Sequence, residues 1–117
     1  MCSMKRDISR ILKRHIGELD AILTQYSVTD RQSLLKAAQE NLVFEKAVLM
    51  TVGYIGELSN KLDEETMRAN PEINWRRLSR SRNIIFHDYD IVDMEIIASV
   101  IFRDIAKLRL LFEEDQP

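Results

Sequence analysis

Apolar residues recur along this chain at helical spacing, and nowhere do they alternate with polar ones as a half-buried strand requires. Ile8, Ile11, Leu12, Ile16, Leu19, Ile22 and Leu23 form one stripe, which predicts a first helix from about Met4 to Tyr26. His15 lies on that stripe, the position of a partly buried structural histidine. Thr29-Asp30-Arg31-Gln32 reads as a capping box in which Gln32 reaches back to the Thr29 N–H. A second helix then runs from about Asp30 towards Ala38, with a pause near Asn41. Phe44, Val48, Leu49, Val52, Ile55, Leu58 and Leu62 continue the helical pattern. Gly53 and Gly56 lie inside it, each costing about 1 kcal/mol relative to alanine, and glycines in such a place suit close helix–helix approach.

Pro71 breaks the pattern, and Asn74 can cap a helix that begins at Trp75 and ends near Tyr89 or Asp90. A last helix is expected from about Asp93 to Phe112, repeating Ile96, Ile97, Val100, Ile101, Ile105, Leu108 and Leu111. The prediction is an all-α, four- to five-helix up-down bundle forming a single domain over residues 1–117. A domain of 117 residues buries only about two thirds of its unfolded surface, so pairing with a second copy would add stability.

Composition narrows the class. The chain is 45% hydrophobic and 31% charged, as in soluble globular proteins, and its three glycines and two prolines leave few tight turns. The longest uncharged run, Ala47 to Gly56, is about half of the roughly 20 residues a membrane span needs. Met1 to Arg14 is charged and does not read as a signal peptide. A single cysteine, Cys2, cannot form an intrachain disulfide, and a reducing, cytoplasmic setting is expected. No C-x-x-C, H-x-x-x-H or carboxylate–histidine cluster suggests a metal site, and no Gly-rich phosphate loop suggests a cofactor.

The net charge of −2 argues against bulk electrostatic binding of nucleic acid, but its distribution is uneven. Between Arg68 and Arg82 lie five arginines against one acid, Glu72. Lys5, Arg6, Arg10, Lys13 and Arg14 add a second basic cluster, while acids gather at 63–65 and 113–115. On the helix from Trp75, Arg76, Arg80, Asn83 and His87 follow spacings of four, three and four, and so share one polar face. Arg82 falls instead on the apolar stripe of Trp75, Leu78, Ile85 and Phe86, where a guanidinium needs a partner or a cleft. Glu57, an acid within an apolar stretch, is one candidate partner; a solvated Glu57 fits equally.

Arg82 and His87 are five residues apart, about 140° of rotation on an ideal helix. They converge only if the helix ends before His87 or if a second protomer brings its own copy alongside. A histidine titrates near neutral pH and can give or take a proton, and an arginine can hold phosphate oxygens. This combination suits phosphodiester cleavage of RNA, whose 2′-hydroxyl supplies the nucleophile. Taken alone, the two residues read more readily as a surface arginine and a histidine favoured by a helix C-terminus.

The wider pattern carries more. Arg82-Asn83-Ile84-Ile85-Phe86-His87-Asp88-Tyr89 has the form R-x4-H-x-Y, and resembles the signature of the HepT branch of HEPN-domain ribonucleases. Pro71-Glu72-Ile73-Asn74-Trp75 resembles that family's P-x-I-P-W lead-in, and Tyr89 to Asp93 resembles its exit into the last helix. Ala47-Val48 followed by Ile55-Gly56-Glu57-Leu58 resembles its A-V…I-G-E-A segment. The likeness covers about Ala47 to Leu111; Asn74 for proline, Leu58-Ser59 for a small pair and Ala98 for tryptophan depart from it.

The resemblance implies a homodimeric, metal-independent endoribonuclease, with Arg82 and His87 as the catalytic pair and Asn83 in support. Arg76 and Arg80 are added as candidate RNA phosphate ligands from their place on the polar face. It further implies the toxin of a type VII-like toxin–antitoxin system, paired with a cognate minimal nucleotidyltransferase that transfers AMP onto Tyr89. Phosphate and bulk two residues from His87 would then exclude RNA from the site. The rival reading is a non-catalytic helical dimer that binds the nucleotidyltransferase and nucleotide or RNA without cutting.

Overall fold

A computed structural model describes residues 2–114, and the side chains of residues 7–113. The readings of Cys2, Lys5, Arg6 and the acids at 114 and 115 fall on side chains outside that range. Among the described residues there is no strand.

Helix α1 (Cys2–Gln25) buries Leu12, Ile16, Leu19 and Leu23 along the expected stripe. It stops in a Schellman-type turn, in which the Ser27 N–H donates to Thr24 O (3.1 Å) and the Val28 N–H to Leu23 O (2.8 Å). Ser27 adopts φ 58° to make that turn, a left-handed conformation that usually falls to glycine.

Helix α2 (Arg31–Glu40) is capped one residue later than the sequence suggested. Asp30, not Thr29, is the N-cap: its Oδ1 accepts from the Ser33 N–H at 2.9 Å, and Ser33 Oγ accepts in return from the Asp30 N–H at 3.0 Å. Asp30 adopts an extended backbone, and Ser33 reaches the orphan N–H groups that Gln32 was expected to serve. These bonds hold the Asp30 carboxyl below its ordinary value.

Asn41 ends α2 and caps α3 (Leu42–Ser59) by accepting from the Phe44 N–H. This helix is central, packing against α1 on one side and α5 on another, and it buries Phe44, Val48, Leu49, Val52, Ile55 and Leu58. The two departures after Gly56 are absorbed: Leu58 and Ser59 are both buried, the Ser59 hydroxyl donating to Ile55 O.

A short helix α4 (Glu64–Ala69), capped by Asp63 and burying no side chain, was not foreseen. Helix α5 (Trp75–His87) follows, then a 3-10 turn over Tyr89–Ile91. The final segment starts at Met94 behind its Asp93 cap, as α6 (Met94–Ser99), and ends as α7 (Ala106–Glu114). The uniform helix expected there is instead interrupted by a π turn over Val100–Ile105. No described helix is long and apolar enough to cross a membrane.

Candidate active site on the fifth helix

The start of α5 is fixed on three sides. Asn74 Oδ1 accepts from the Arg77 N–H at 2.9 Å, as its cap role requires. The Trp75 indole N–H donates to Met67 O and Asn70 O, both at 3.1 Å, which ties the helix to α4. Arg77 meets Asp104 of the π turn through Nε–Oδ2 at 2.6 Å and Nη2–Oδ1 at 2.8 Å. Asp104 is 1% exposed, and its carboxylate raises the Arg77 guanidinium above its ordinary value.

Along its length, α5 lies against α3 at the two glycines. A Cβ on Gly53 would come within 2.9 Å of the Phe86 ring, and one on Gly56 within 2.9 Å of both the Leu78 carbonyl and Arg82 Cβ. Backbone contact this close is available only to glycine. It brings Arg82 up to α3, where its Nε donates to Glu57 Oε1 at 2.6 Å. Of the two openings left by the sequence, Glu57 is therefore the paired one.

Three neighbours orient the Arg82 guanidinium. Besides Glu57, Asn83 Oδ1 accepts from Nη1 at 2.9 Å, and the Phe86 ring lies 5.4 Å beneath the central carbon. These bonds use two of the five N–H groups and leave three for another acceptor. The pair is partly open, with side-chain exposures of 27% for Arg82 and 32% for Glu57.

His87 closes α5, is exposed, and makes no hydrogen bond or ion pair with any described residue. His15, the other histidine, is 16% exposed, its Nδ1 3.0 Å from Glu18 and its ring edge-on to Tyr54. It has the structural setting that its place on the α1 stripe suggested. Because α5 runs unbroken through His87, the ideal-helix separation applies, and Arg82 and His87 diverge within one chain. The first route to convergence is closed; a second protomer remains.

Arg76 and Arg80 lie exposed on the same polar face as Asn83 and His87, with no partner among the described residues. Tyr89, in the 3-10 turn, is half-buried, and its hydroxyl oxygen accepts from Lys46 Nζ at 3.2 Å, with Nζ 4.5 Å from the ring centre. Sequence reasoning missed Lys46 and Asp104, which stand 43 and 27 residues from their partners and belong to no local pattern. Among the described residues, no group of three or more His, Cys, Asp or Glu could hold a metal ion.

The family model for ribonuclease HepT-like proteins matches residues 6–114. The chain belongs to the ribonuclease HepT-like family. Its R-x4-H-x-Y segment lies on α5 and the turn beyond, with Gly56-Glu57 of the upstream segment packed directly against it. The chain is similar to a Thermococcus cleftensis protein named "Probable ribonuclease HepT", at 34% identity over 68 residues, or 58% of this chain and 62% of that protein. Two Methanocaldococcus jannaschii proteins named provisionally as RNases are similar at 28% identity over 52% of this chain and 50% of the relative, and at 25% over 59% and 63%. The chain thus spans under two thirds of the length of each of these relatives. No solved structure matches it.

Proposed function

We propose that this protein is a metal-independent endoribonuclease that acts as a homodimer, with Arg82 and His87 as its catalytic pair. The observation that carries the reading is the state of Arg82. Its guanidinium is oriented from three sides, yet keeps three N–H groups free at a partly exposed position. In the proposed reaction the RNA 2′-oxygen attacks phosphorus, the P–O5′ bond breaks, and a 2′,3′-cyclic phosphate and a 5′-hydroxyl result. The 2′-OH gives up one proton and the leaving 5′-oxygen gains one; His87, the exposed histidine, is the group to move them. Arg82 holds the non-bridging oxygens as charge builds on them.

Two features support pairing of protomers. The unbroken helix separates Arg82 from His87 within one chain, so a complete site needs a partner's copy. Val43, Met50 and Tyr54 also form an exposed apolar stripe on α3, with exposed Phe86 lying across the neighbouring Gly53.

In this reading the protein is the toxin of a cytoplasmic toxin–antitoxin pair, neutralised when a cognate nucleotidyltransferase adenylylates Tyr89. The Lys46 contact supports that role for Tyr89, since the ammonium holds the acceptor oxygen and would face the incoming phosphate.

The test is RNA incubated with purified protein in EDTA. Wild type is expected to cut, leaving cyclic phosphate ends. Arg82→Ala and His87→Ala should each reduce cleavage by about 10²–10³-fold or more with the dimer intact. Undiminished cleavage by the double variant overturns the assignment. One observation favours the rival, non-catalytic binding module: Glu57 already neutralises Arg82. RNA that stays intact at high wild-type concentration, yet is bound, supports that module instead.

A further inference from the structure

We infer that the groove between α5 and the start of α6 is a subsite for one unpaired nucleotide of the RNA strand, separate from the scissile position. It would take the phosphate on Arg76 and Arg80 and the base against Ile84 and Ile96. The inference rests on the RNA-binding reading above and adds where the strand runs and what form of RNA it must be.

The groove encloses about 320 Å³, at the lower end of small-molecule sites and suited to a single nucleotide. Its polar groups divide into those already engaged and those still available. Arg77 is taken by Asp104, the Ser81 hydroxyl donates to Arg77 O, and Asn74 Oδ1 accepts from the Arg77 N–H. Glu95, beside Ile96 on α6, is held by Arg31 of α2 at 2.7 Å. No carboxylate therefore answers Arg76 or Arg80, and two guanidinium groups line the groove with their charge unpaired among the described residues. An oxyanion with several acceptor oxygens is the ligand that satisfies two such forks together.

The rest of the lining is apolar. Ile84 is half-buried and Ile96 is 44% exposed, so the groove offers a hydrocarbon wall next to its cations. Phosphate alone would leave that wall wet; a nucleotide covers it with its base. A base within a duplex is stacked on both faces and cannot reach the wall, so the subsite selects an unstacked, single-stranded nucleotide.

Its distance from the chemistry is set by the helix. Arg80 and Arg76 lie about 10 and 16 Å along the axis from His87, and about 160° and 120° round an ideal helix from Arg82. A subsite that binds substrate and transition state equally lowers KM without raising kcat, and the groove is assigned that role.

The experiment compares wild type with Arg76→Ala/Arg80→Ala and, separately, Ile96→Asp, in cleavage of a single-stranded RNA across a salt series. The double variant should raise KM about tenfold while kcat holds, since it removes two charge-assisted contacts. Its plot of log affinity against log salt should flatten by about 0.7, the single-strand value for the one phosphate that the two arginines share. Ile96→Asp, at an exposed position, should raise KM as well, through lost base contact and a negative charge beside the phosphate. If wild type cuts and both variants keep its KM and salt slope, the subsite is overturned while the nuclease reading stands. If wild type cuts no RNA, the nuclease reading falls, and fluorescence anisotropy of the same RNA judges the groove by the same slope. Variants that lose only capture of the co-expressed nucleotidyltransferase, with RNA affinity unchanged, would make the groove a protein-docking surface and overturn the proposal.

Discussion

Arg77 and Arg82 lie five residues apart on α5, and each meets a carboxylate at 2.6 Å. Around Arg77 the acceptor is enclosed: Asp104 is 1% exposed, receives two bonds from the guanidinium, and lies 3.4 Å from the Asn74 N–H that donates to it. Around Arg82 the acceptor is about a third exposed and takes one bond, while a second N–H of the guanidinium goes to Asn83. The first pair joins the start of α5 to the π turn of the last helix. The second orients a cation and leaves it chemically available. Equal ion-pair distances therefore say little about role; both guanidinium groups are 27% exposed and keep three N–H groups each, and burial of the carboxylate separates the two.

Arg77→Ala should be the most damaging change at either ion pair. It leaves a buried carboxylate with no counter-charge, and breaking such a pair from one side costs about 3–5 kcal/mol. Asp104→Asn should cost less, because Arg77 is 27% exposed and can turn to water whereas Asp104 cannot. Urea unfolding of both variants checks the asymmetry; equal losses would show that Asp104 is not the enclosed partner. Next comes Gly56→Ala, which would drive a methyl onto the Leu78 carbonyl and the Arg82 side chain. Backbone must shift, at about 1–3 kcal/mol by the same measurement, and Arg82 would be displaced with it.

These two positions differ in how visible they were beforehand. Gly53 and Gly56 announced close packing because glycine inside an apolar helical pattern has few other reasons to be there. The Asn74 cap and the Trp75 start were legible for a similar reason, being local and chemically specific. The Arg77–Asp104 pair was not, since Asp104 reads as an ordinary polar gap in the stripe of the last helix, and the π turn that holds it leaves no periodic trace over six residues. Helix α4 escaped because it buries no side chain and so has no stripe. Of the candidate site, the residue types and their shared face were readable, while Glu57 as partner of Arg82 stayed one of two openings until the fold closed the distance.

Glu57→Gln sharpens the contrast with Arg77. Glutamine keeps a neutral acceptor at this partly exposed position, so stability should fall by about 1 kcal/mol or less. Function should respond differently. With weaker orientation of Arg82, kcat for RNA cleavage should drop about tenfold, because a misplaced clamp loses its grip mainly in the transition state. KM should not rise, since the guanidinium charge is no longer neutralised. A raised KM with unchanged kcat would mean that Arg82 only binds the substrate, and Glu57 would lose its positioning role.

Lys46 supplies the smallest structural effect and the cleanest separation of stability from function. Its ammonium contacts the Tyr89 hydroxyl and ring from an exposed position on α3, bearing no carboxylate partner among the described residues. Contacts of this kind are screened by water and offset by side-chain entropy, so Lys46→Met should change unfolding free energy by no more than about 0.5 kcal/mol. Methionine keeps an apolar stem near the ring and removes only the charge and the donor. If Lys46 holds Tyr89 Oη for phosphoryl transfer, the variant co-expressed with its nucleotidyltransferase should carry less AMP on the Tyr89 peptide by mass spectrometry. RNA cleavage by the unmodified variant separates that effect from general damage, because the fold that positions Arg82 does not depend on Lys46. Full adenylylation in the variant would reduce the Lys46–Tyr89 contact to an incidental surface pairing, unlike either arginine pair on α5.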